Sequence, residues 1–156
     1  KEDDDTKEEK EEELFIYKWF PLEIGKVDYN TEELLVEHKI PISFPLFSKI
    51  KGSTIFYDMK SDDFMEDGLL GVVHFSEDHD IRHYFHMLIL LDRTTYTLKK
   101  YSQTFCFEKL GVEYCIGFTP LNNKYTFWIS RHDRDPLMIQ INPSEIQWSK
   151  YFFLYQ

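Results

Sequence analysis

The sequence is poor in the features that would place it among several familiar kinds of protein. It has two cysteines, Cys106 and Cys115, which are too few for a disulfide framework. Because both have apolar neighbours, we expect two buried thiols; the alternative is a disulfide bond between adjacent strands. No run of about 18 apolar residues and no signal-peptide pattern occurs, so nothing here is expected to span or target a membrane. The chain begins at Lys1, which leaves an upstream segment open, and the cytoplasm is the favoured location.

Basic residues are also scarce. The chain has 18 Lys and Arg against 28 Asp and Glu, a formal net charge of -10. Binding to a phosphate backbone needs a basic face, so we expect no nucleic acid partner. Residues 1–13 hold nine acidic and three basic side chains and no apolar one. Such a segment cannot offset its ordering entropy by burial, which predicts an acidic disordered tail or linker.

Motifs for several chemistries are missing. The sequence has no Walker loop, dinucleotide fingerprint, nucleophile elbow or Cys-His pairing. His74, His79, His83 and His86 lie close together in sequence, but on an extended strand His83 and His86 point to opposite faces. The helical spacing of a zinc protease is absent too. We therefore predict no metal site and no cofactor.

Aromatic residues, in contrast, are abundant. They make up 17% of the chain, with 14 Phe and 10 Tyr, which is typical of sheets packed on both faces. At 156 residues the chain fits one domain, and we expect an all-β domain over 14–156. The longest predicted strand, His83 to Asp92, has two apolar faces. This pattern predicts a sheet that is covered on each side.

One order of strands and turns occurs twice. A strand from Gly111 leads to an Asn122-Asn123 turn, an aromatic return strand and a charged corner at 133–135. The same order starts at Gly52, with Asp67-Gly68 as its turn. Repeated meanders of this kind predict propeller-type four-stranded antiparallel blades. The prediction is one complete blade over 49–108, a half blade over 14–48 and a partial blade over 109–156.

Several phrases of the sequence resemble a known family. They are W-F-P-L-E-I-G (19–25), K-G-S-T (51–54), G-V-V-H-F (71–75), R-H-Y-F-H (82–86), Y-S-Q-T-F-C-F (101–107) and G-V-E-Y-C-I-G-F (111–118). With them the chain resembles the C-terminal half of five-bladed β-propeller domains of carbohydrate-active proteins. These include arabinanase-like glycosidases, mannoside phosphorylases and propeller domains that accompany glycosyltransferases of bacteria and large DNA viruses. The resemblance implies a glycan or sugar nucleotide as ligand, and self-association or pairing with the missing half of a propeller.

The resemblance also implies where a sugar would bind. The innermost strand of each blade starts at the central cavity, and Glu113, at the start of such a strand, takes the place of the relatives' general acid. The partner carboxylates of those relatives come from earlier blades, and glycoside cleavage needs two carboxylates. The alternative for Glu113 is a structural glutamate bonded to backbone amides. The other predicted ligand contacts are Arg82, His83, Tyr84, His86, Trp128 and Asp133. The alternative for the first four is a set of hydrogen bonds that fix the charged corner at 78–80, with one or two of them reaching the cavity.

Some of these residues have simpler structural interpretations. Trp128 and Tyr125 could each offer a face to a sugar ring, but aromatics on propeller strands more often form the core. The corners at 78–80 and 133–135 each hold two aspartates, which suit calcium or ion pairs with nearby arginines. Ion pairing is the simpler of these two accounts.

The sequence as a whole therefore predicts carbohydrate recognition or processing, as part of a glycan-modifying protein of the glycosyltransferase-like or glycosidase-like kind. Whether the chain is itself catalytic is left open. The alternative is a non-catalytic β module for protein–protein interaction, which would use exposed sheet edges for strand pairing. A degenerate remnant without a ligand is a third possibility.

Overall fold

The structure is a computed structural model that describes residues 13–52, 54–61, 66–78 and 80–150. Within those ranges every regular element is a β-strand or a short 3₁₀-helix, and the strands form three antiparallel sheets. The all-β prediction is thus confirmed. The tail predicted for 1–13 lies outside the described residues, apart from Glu13. The chain divides into two compact units, the first ending at Ser43 and the second beginning at Phe44.

The first unit is a three-stranded meander. Its strands are β1 (Phe15–Trp19), β2 (Leu22–Asp28) and β3 (Glu33–Ile40), with β2 in the centre. Pro21, which lacks a ladder donor, lies in the tight connection between β1 and β2 and not within a strand. A glycine is needed at Gly25, since a Cβ there would lie 2.2 Å from the carbonyl oxygen of Leu35. The stretch predicted as a half blade, 14–48, thus contains three strands among the described residues.

The second unit contains two sheets and two 3₁₀-helices, at Pro45–Lys49 and Pro143–Glu145. Its strands are β4 (Lys51–Gly52), β5 (Tyr57–Met59), β6 (Gly68–Asp78), β7 (Arg82–Leu91), β8 (Leu98–Ser102), β9 (Glu113–Leu121), β10 (Lys124–Arg131), β11 (Asp135–Ile141) and β12 (Trp148–Lys150). The larger sheet has the order β12-β8-β7-β6-β4, with β5 also paired to β6. The smaller sheet has the order β11-β10-β9.

The two sequence repeats form different strand arrangements. The first, over 49–108, forms an antiparallel meander from β4 and β5 through β8. Up to residue 150, the second forms the three strands β9 to β11 in a sheet of its own, because the 3₁₀-helix at Pro143–Glu145 leads the chain back to the first repeat. There β12 pairs with β8, with Trp148 opposite Ser102. The last strand of the second repeat thus extends the sheet of the first.

The core lies where the two sheets of the second unit pack face to face. Leu70, Val72, Leu88 and Leu90 on β6 and β7 form one cluster with side chains from β9 and β10, namely Cys115, Phe118, Tyr125, Phe127 and Ile129. On the opposite face of β6 and β7, Val73, Met87 and Ile89 are also fully buried. The strand predicted for His83 to Asp92, which is β7, is therefore covered on both faces, as its apolar pattern indicated.

The turn predicted from Asn122-Asn123 is also present. The two asparagines form a two-residue connection between Leu121 and Lys124, and both have positive φ values, of 52° and 54°. Asparagine tolerates this left-handed conformation, which hairpin turns of this length require at both central positions. The turn fixes which residues of β9 and β10 face the core.

Candidate functional site

Glu113 stands at the start of β9, opposite Arg131 on β10. Its side chain is buried, and its carboxylate accepts three backbone hydrogen bonds from the segment just before the strand. The N–H of Phe107 donates to Oε2 at 2.8 Å, and those of Glu108 and Lys109 donate to Oε1 at 3.0 Å each. Charge-assisted bonds of this kind are stronger than neutral ones, so Glu113 anchors the segment 107–109.

The space beside Glu113 is small. A cavity of about 10 Å³ is bounded by residues 109–113 with Arg131 and His132. A single water needs roughly that volume, so a sugar ring does not fit there. The burial and the three amide contacts agree with the structural interpretation of Glu113. Its predicted role as a general acid stays a prediction.

Arg131, which lies opposite Glu113 on β10, forms its ion pair with another carboxylate. The guanidinium of Arg131 forms an ion pair with Glu108, and this hydrogen bond and charge raise the pKa of Arg131. The corner at 78–80 holds a second pair, in which Nε of Arg82 donates to Asp78 at 2.8 Å. Ion pairing, the simpler account of that corner, is therefore confirmed for Asp78. The predicted contact Arg82 is exposed and bound to this aspartate.

Two of the predicted contacts belong to a cluster of rings in which the histidines are buried and the tyrosines half-buried. His86 on β7 is fully buried and lies opposite His74 on β6. The ring of His74 lies 4.8 Å from that of Tyr114 and 5.9 Å from that of Tyr84, measured between centroids. The cluster thus brings Tyr84 and His86 together, inside the second unit.

His86 has the properties of a neutral core histidine. Its Nε2 accepts a hydrogen bond from the backbone N–H of Cys115 at 3.2 Å, which links β7 to β9. Burial, with a smaller effect of His74, lowers the pKa of His86 to about 3. The ring is fully buried and therefore presents no surface to a ligand.

The remaining predicted contacts lie apart from that cluster. His83 is half-buried near the start of β7, and Asp133 is exposed in the connection from β10 to β11, where its φ is 57°. Trp128 lies in the middle of β10, on the face that points away from the core. The structure therefore does not gather the predicted contacts into one site.

Trp128 is the predicted contact that offers a ligand an open aromatic surface. Along β10 the side chains of Tyr125, Phe127 and Ile129 point into the core, whereas Trp128 is 45% exposed. The expectation of a core residue is correct for Tyr125 and wrong for Trp128. The alternation of apolar and polar residues in Y-T-F-W-I-S (125–130) was the signal that could have placed Trp128 outside.

The surroundings of Trp128 define a surface that we call the Trp128 face. Its indole lies over Gly117, where a Cβ would come within 3.1 Å of Cδ1 of the ring. Met138 stands opposite Trp128 on β11, and Ile116 is the additional residue at a bulge in β9. Beside them, Nε2 of Gln140 donates to Oγ1 of Thr126 at 3.0 Å. The face consists of Ile116, Gly117, Thr126, Trp128, Met138 and Gln140.

The cysteines form no disulfide. Cys115 is buried and Cys106 half-buried, and both are free thiols. Burial raises the pKa of Cys115 to about 12, so this thiol is inert. Of the two predicted possibilities, free thiols and a bond between strands, the first is confirmed, with Cys106 less buried than expected.

Membrane-spanning helices and metal-binding clusters are both absent from residues 13–52, 54–61, 66–78 and 80–150. None of the helices described is long and apolar enough to cross a membrane. Over the same ranges, no three His, Cys, Asp or Glu side chains gather so that they could hold a metal ion.

Comparison of the chain with protein-family models, with curated proteins and with solved structures finds no match. The resemblance to propeller domains therefore stays a prediction.

Proposed function

We propose that this chain is a glycan-binding module that acts through the Trp128 face and does not cleave its ligand. The observation that carries the proposal is the exposed indole of Trp128, which lies over Gly117 on an outward sheet surface. Carbohydrate recognition as part of a glycan-modifying protein was the function indicated by the sequence resemblance.

The chemistry of the Trp128 face suits a sugar ring. The negative face of an indole attracts the partly positive C–H edge of a pyranose. The exposed side chain of Gln140 lies next to the indole on the same face and supplies an amide for sugar hydroxyls, while the hydroxyl of buried Thr126 accepts its Nε2–H and orients it. Since β10 is the central strand of its sheet, the indole is held on a rigid element, which lowers the entropic cost of binding.

Glu113 has a supporting function in this proposal. Its three amide contacts hold the segment 107–109 against the start of β9. A hydrolase would need a second carboxylate across the scissile bond and space for the sugar between the two. The cavity beside Glu113 offers about 10 Å³, so we propose binding without hydrolysis.

We also propose that the sheets are blades of a propeller whose remaining blades come from another chain or chain segment. The meander from β4 to β8 supports this idea, because it has the strand order of a blade. The face-to-face packing of that sheet on β9 to β11 is the arrangement of adjacent blades. The pairing of β12 with β8 departs from the pattern and makes the first sheet wider than a blade.

The proposed function can be tested with a glycan array and saturation-transfer NMR. The wild type would be compared with Trp128→Ala and with Leu121→Ala, a truncation of a 62% exposed residue on the same sheet. We expect one class of sugar to bind, with at least about tenfold weaker binding after Trp128→Ala and little change after Leu121→Ala. Binding that survives Trp128→Ala unchanged, or no binding to any sugar by the folded protein, would refute the proposal.

A protein partner is the second candidate, and one observation favours it. Ile116 and Met138, which flank Trp128, are 59% and 50% exposed. Exposed apolar side chains around a tryptophan are typical of the centre of protein interfaces. If the array is silent and Trp128→Ala abolishes capture of a protein that the wild type retains, this candidate replaces the first.

A further inference from the structure

A cleft of about 350 Å³ opens on the side of the β9 to β11 sheet that lies opposite the Trp128 face. It lies between residues 102–107, which begin at the last residue of β8, and the core-facing side chains of β10 and β11. We call it the corner cleft, because it lies at the border of the core where the two sheets of the second unit part. Trp128 points away from it, so the corner cleft is independent of the proposed glycan site.

The walls of the corner cleft are aromatic and aliphatic. Phe107 lies 5.2 Å from both Phe105 and Phe127, measured between ring centroids, with tilted or perpendicular planes. Ile139, Ile141 and Ile146 complete the apolar lining. Ligand sites of this size are typically lined in this way, with a few polar groups that orient the ligand.

Main-chain hydrogen bonds hold these walls in place. Phe105 exchanges two of them with His86, both of 2.9 Å. The N–H of Phe107 donates to the buried carboxylate of Glu113 at 2.8 Å. On the opposite side, the N–H of Gln103 donates to the carbonyl of Gln147 at 2.8 Å. The corner cleft is therefore preformed and is not a gap between loose segments.

The polar part of the corner cleft has negative charge. Among the described residues that line it, Glu145 is the charged one, and Lys and Arg are absent from the lining. One oxygen of Glu145 accepts the N–H of Asn142 at 2.6 Å, which fixes the carboxylate at the rim. Cys106, another lining residue, has a raised pKa because of burial and, secondly, the charge of Glu113. The carboxylate of Glu145 thus disfavours an anion in the corner cleft.

From this geometry we infer that the corner cleft binds a small amphipathic cation, with a planar aromatic body of about the size of indole and an amine as its head. The apolar lining would hold the aromatic body, and Glu145 would hold the amine at the rim. A dry cavity of about 150 Å³ lined by Leu, Ile and Phe accommodates benzene, so a cleft of 350 Å³ has room for a bicyclic ring and its head group.

The thiol of Cys106 provides the assay. N-ethylmaleimide at a pH of about 8.5 should alkylate Cys106 and leave Cys115 untouched, because Cys115 is fully buried and has a pKa of about 12. Intact mass reports the rate, and Cys106→Ser should take up no label. Tryptamine, indole and indole-3-acetate then serve as probes, since they share one ring system and differ in the charge of the head.

We expect tryptamine to slow the alkylation of Cys106 and to bind about two- to fivefold more tightly than indole, with indole-3-acetate weakest. Glu145→Gln keeps an acceptor for the N–H of Asn142 but removes the charge. In this variant tryptamine and indole should bind equally. A preference for tryptamine that persists in Glu145→Gln would overturn the assignment of the amine to Glu145.

A second pair of variants tests the location. Ile146→Trp fills the corner cleft and should abolish protection of Cys106, whereas Ile81→Trp introduces the same side chain at a 60% exposed position and should change nothing. NMR spectra of each variant report whether it is folded. If none of the three probes slows alkylation of the folded wild type, the corner cleft is not a binding site and the inference fails. Should Ile146→Trp not fold, Glu145→Gln still decides the question.

Discussion

Replacement of Glu113 by glutamine should destabilise the second unit even though the two side chains have nearly the same shape. The carboxylate accepts three N–H groups, two on Oε1 and one on Oε2. A glutamine can place its carbonyl oxygen where Oε1 is, so the bonds from Glu108 and Lys109 persist in a weaker, uncharged form. Its NH₂ group then faces the N–H of Phe107, and two donors meet in a buried site.

The size of the effect follows from these contacts. An unsatisfied buried donor costs about 1–3 kcal/mol, and hydrogen bonds to a charged group are worth more than neutral ones. We therefore expect Glu113→Gln to lower the free energy of unfolding by about 2–4 kcal/mol. The matched control is Glu108→Gln in the same segment. It removes an exposed ion pair with Arg131 and should cost about 1 kcal/mol or less.

Urea unfolding would measure the global effect of both variants. Amide hydrogen exchange would measure the local effect, because the N–H groups of Phe107, Glu108 and Lys109 are protected by one side chain. We expect all three amides to exchange faster in Glu113→Gln. If the variant is within about 1 kcal/mol of wild type and keeps these amides protected, the anchoring function of Glu113 is refuted, and a role for its carboxylate in ligand chemistry regains weight.

Two further predictions concern the core. Because the pKa of His86 falls from its ordinary 6.5 to about 3, the unfolded chain binds a proton that the folded chain does not between these pH values. The contribution of neutral His86 to the free energy of unfolding should be fully present above about pH 6.5 and should fall below that pH, by about 2–3 kcal/mol at pH 4.5. In urea titrations, His86→Gln should show a smaller decline with falling pH. Leu88→Ala should cost about 2–5 kcal/mol, against about 0.5 kcal/mol or less for exposed Leu121→Ala; similar costs would contradict the described core.

The parts of the fold that could be predicted are those that depend on nearby residues. The two apolar faces of β7 predicted a strand covered on both sides, and the turn at 122–123 followed from the tolerance of asparagine for positive φ. The composition was sufficient for the all-β class. In each case the signal lies within one element or one connection.

The parts that could not be predicted depend on pairings between distant segments. Nothing local to Trp148 indicates that it will lie opposite Ser102, and this pairing decides that the second repeat keeps only three strands of its own. The corner cleft is likewise formed by residues 102–107 together with residues from β10, β11 and the helix after them. The pattern of residues along the sequence contains no signal for such contacts between distant segments.

The site residues show the same division. From the sequence, Glu113 could be a catalytic or a structural glutamate. The backbone N–H groups of the segment 107–109, which bind its carboxylate, favour the structural role, and the sequence does not show this contact. His86 was predicted as a contact because it lies near the charged corner in sequence, yet its position between apolar neighbours on β7 places it in the core. For Trp128 the alternation along β10 was available, and the expectation of a core aromatic outweighed it.

An NMR titration of the ¹⁵N-labelled chain with the sugar class found on the array would test the proposed function most directly. The account predicts that the largest shifts occur at the indole N–H of Trp128, the side-chain amide of Gln140 and the backbone of Thr126. Shifts centred on Glu113 and the segment 107–109, or on the first unit, would contradict it. So would a titration of the folded protein in which no resonance moves.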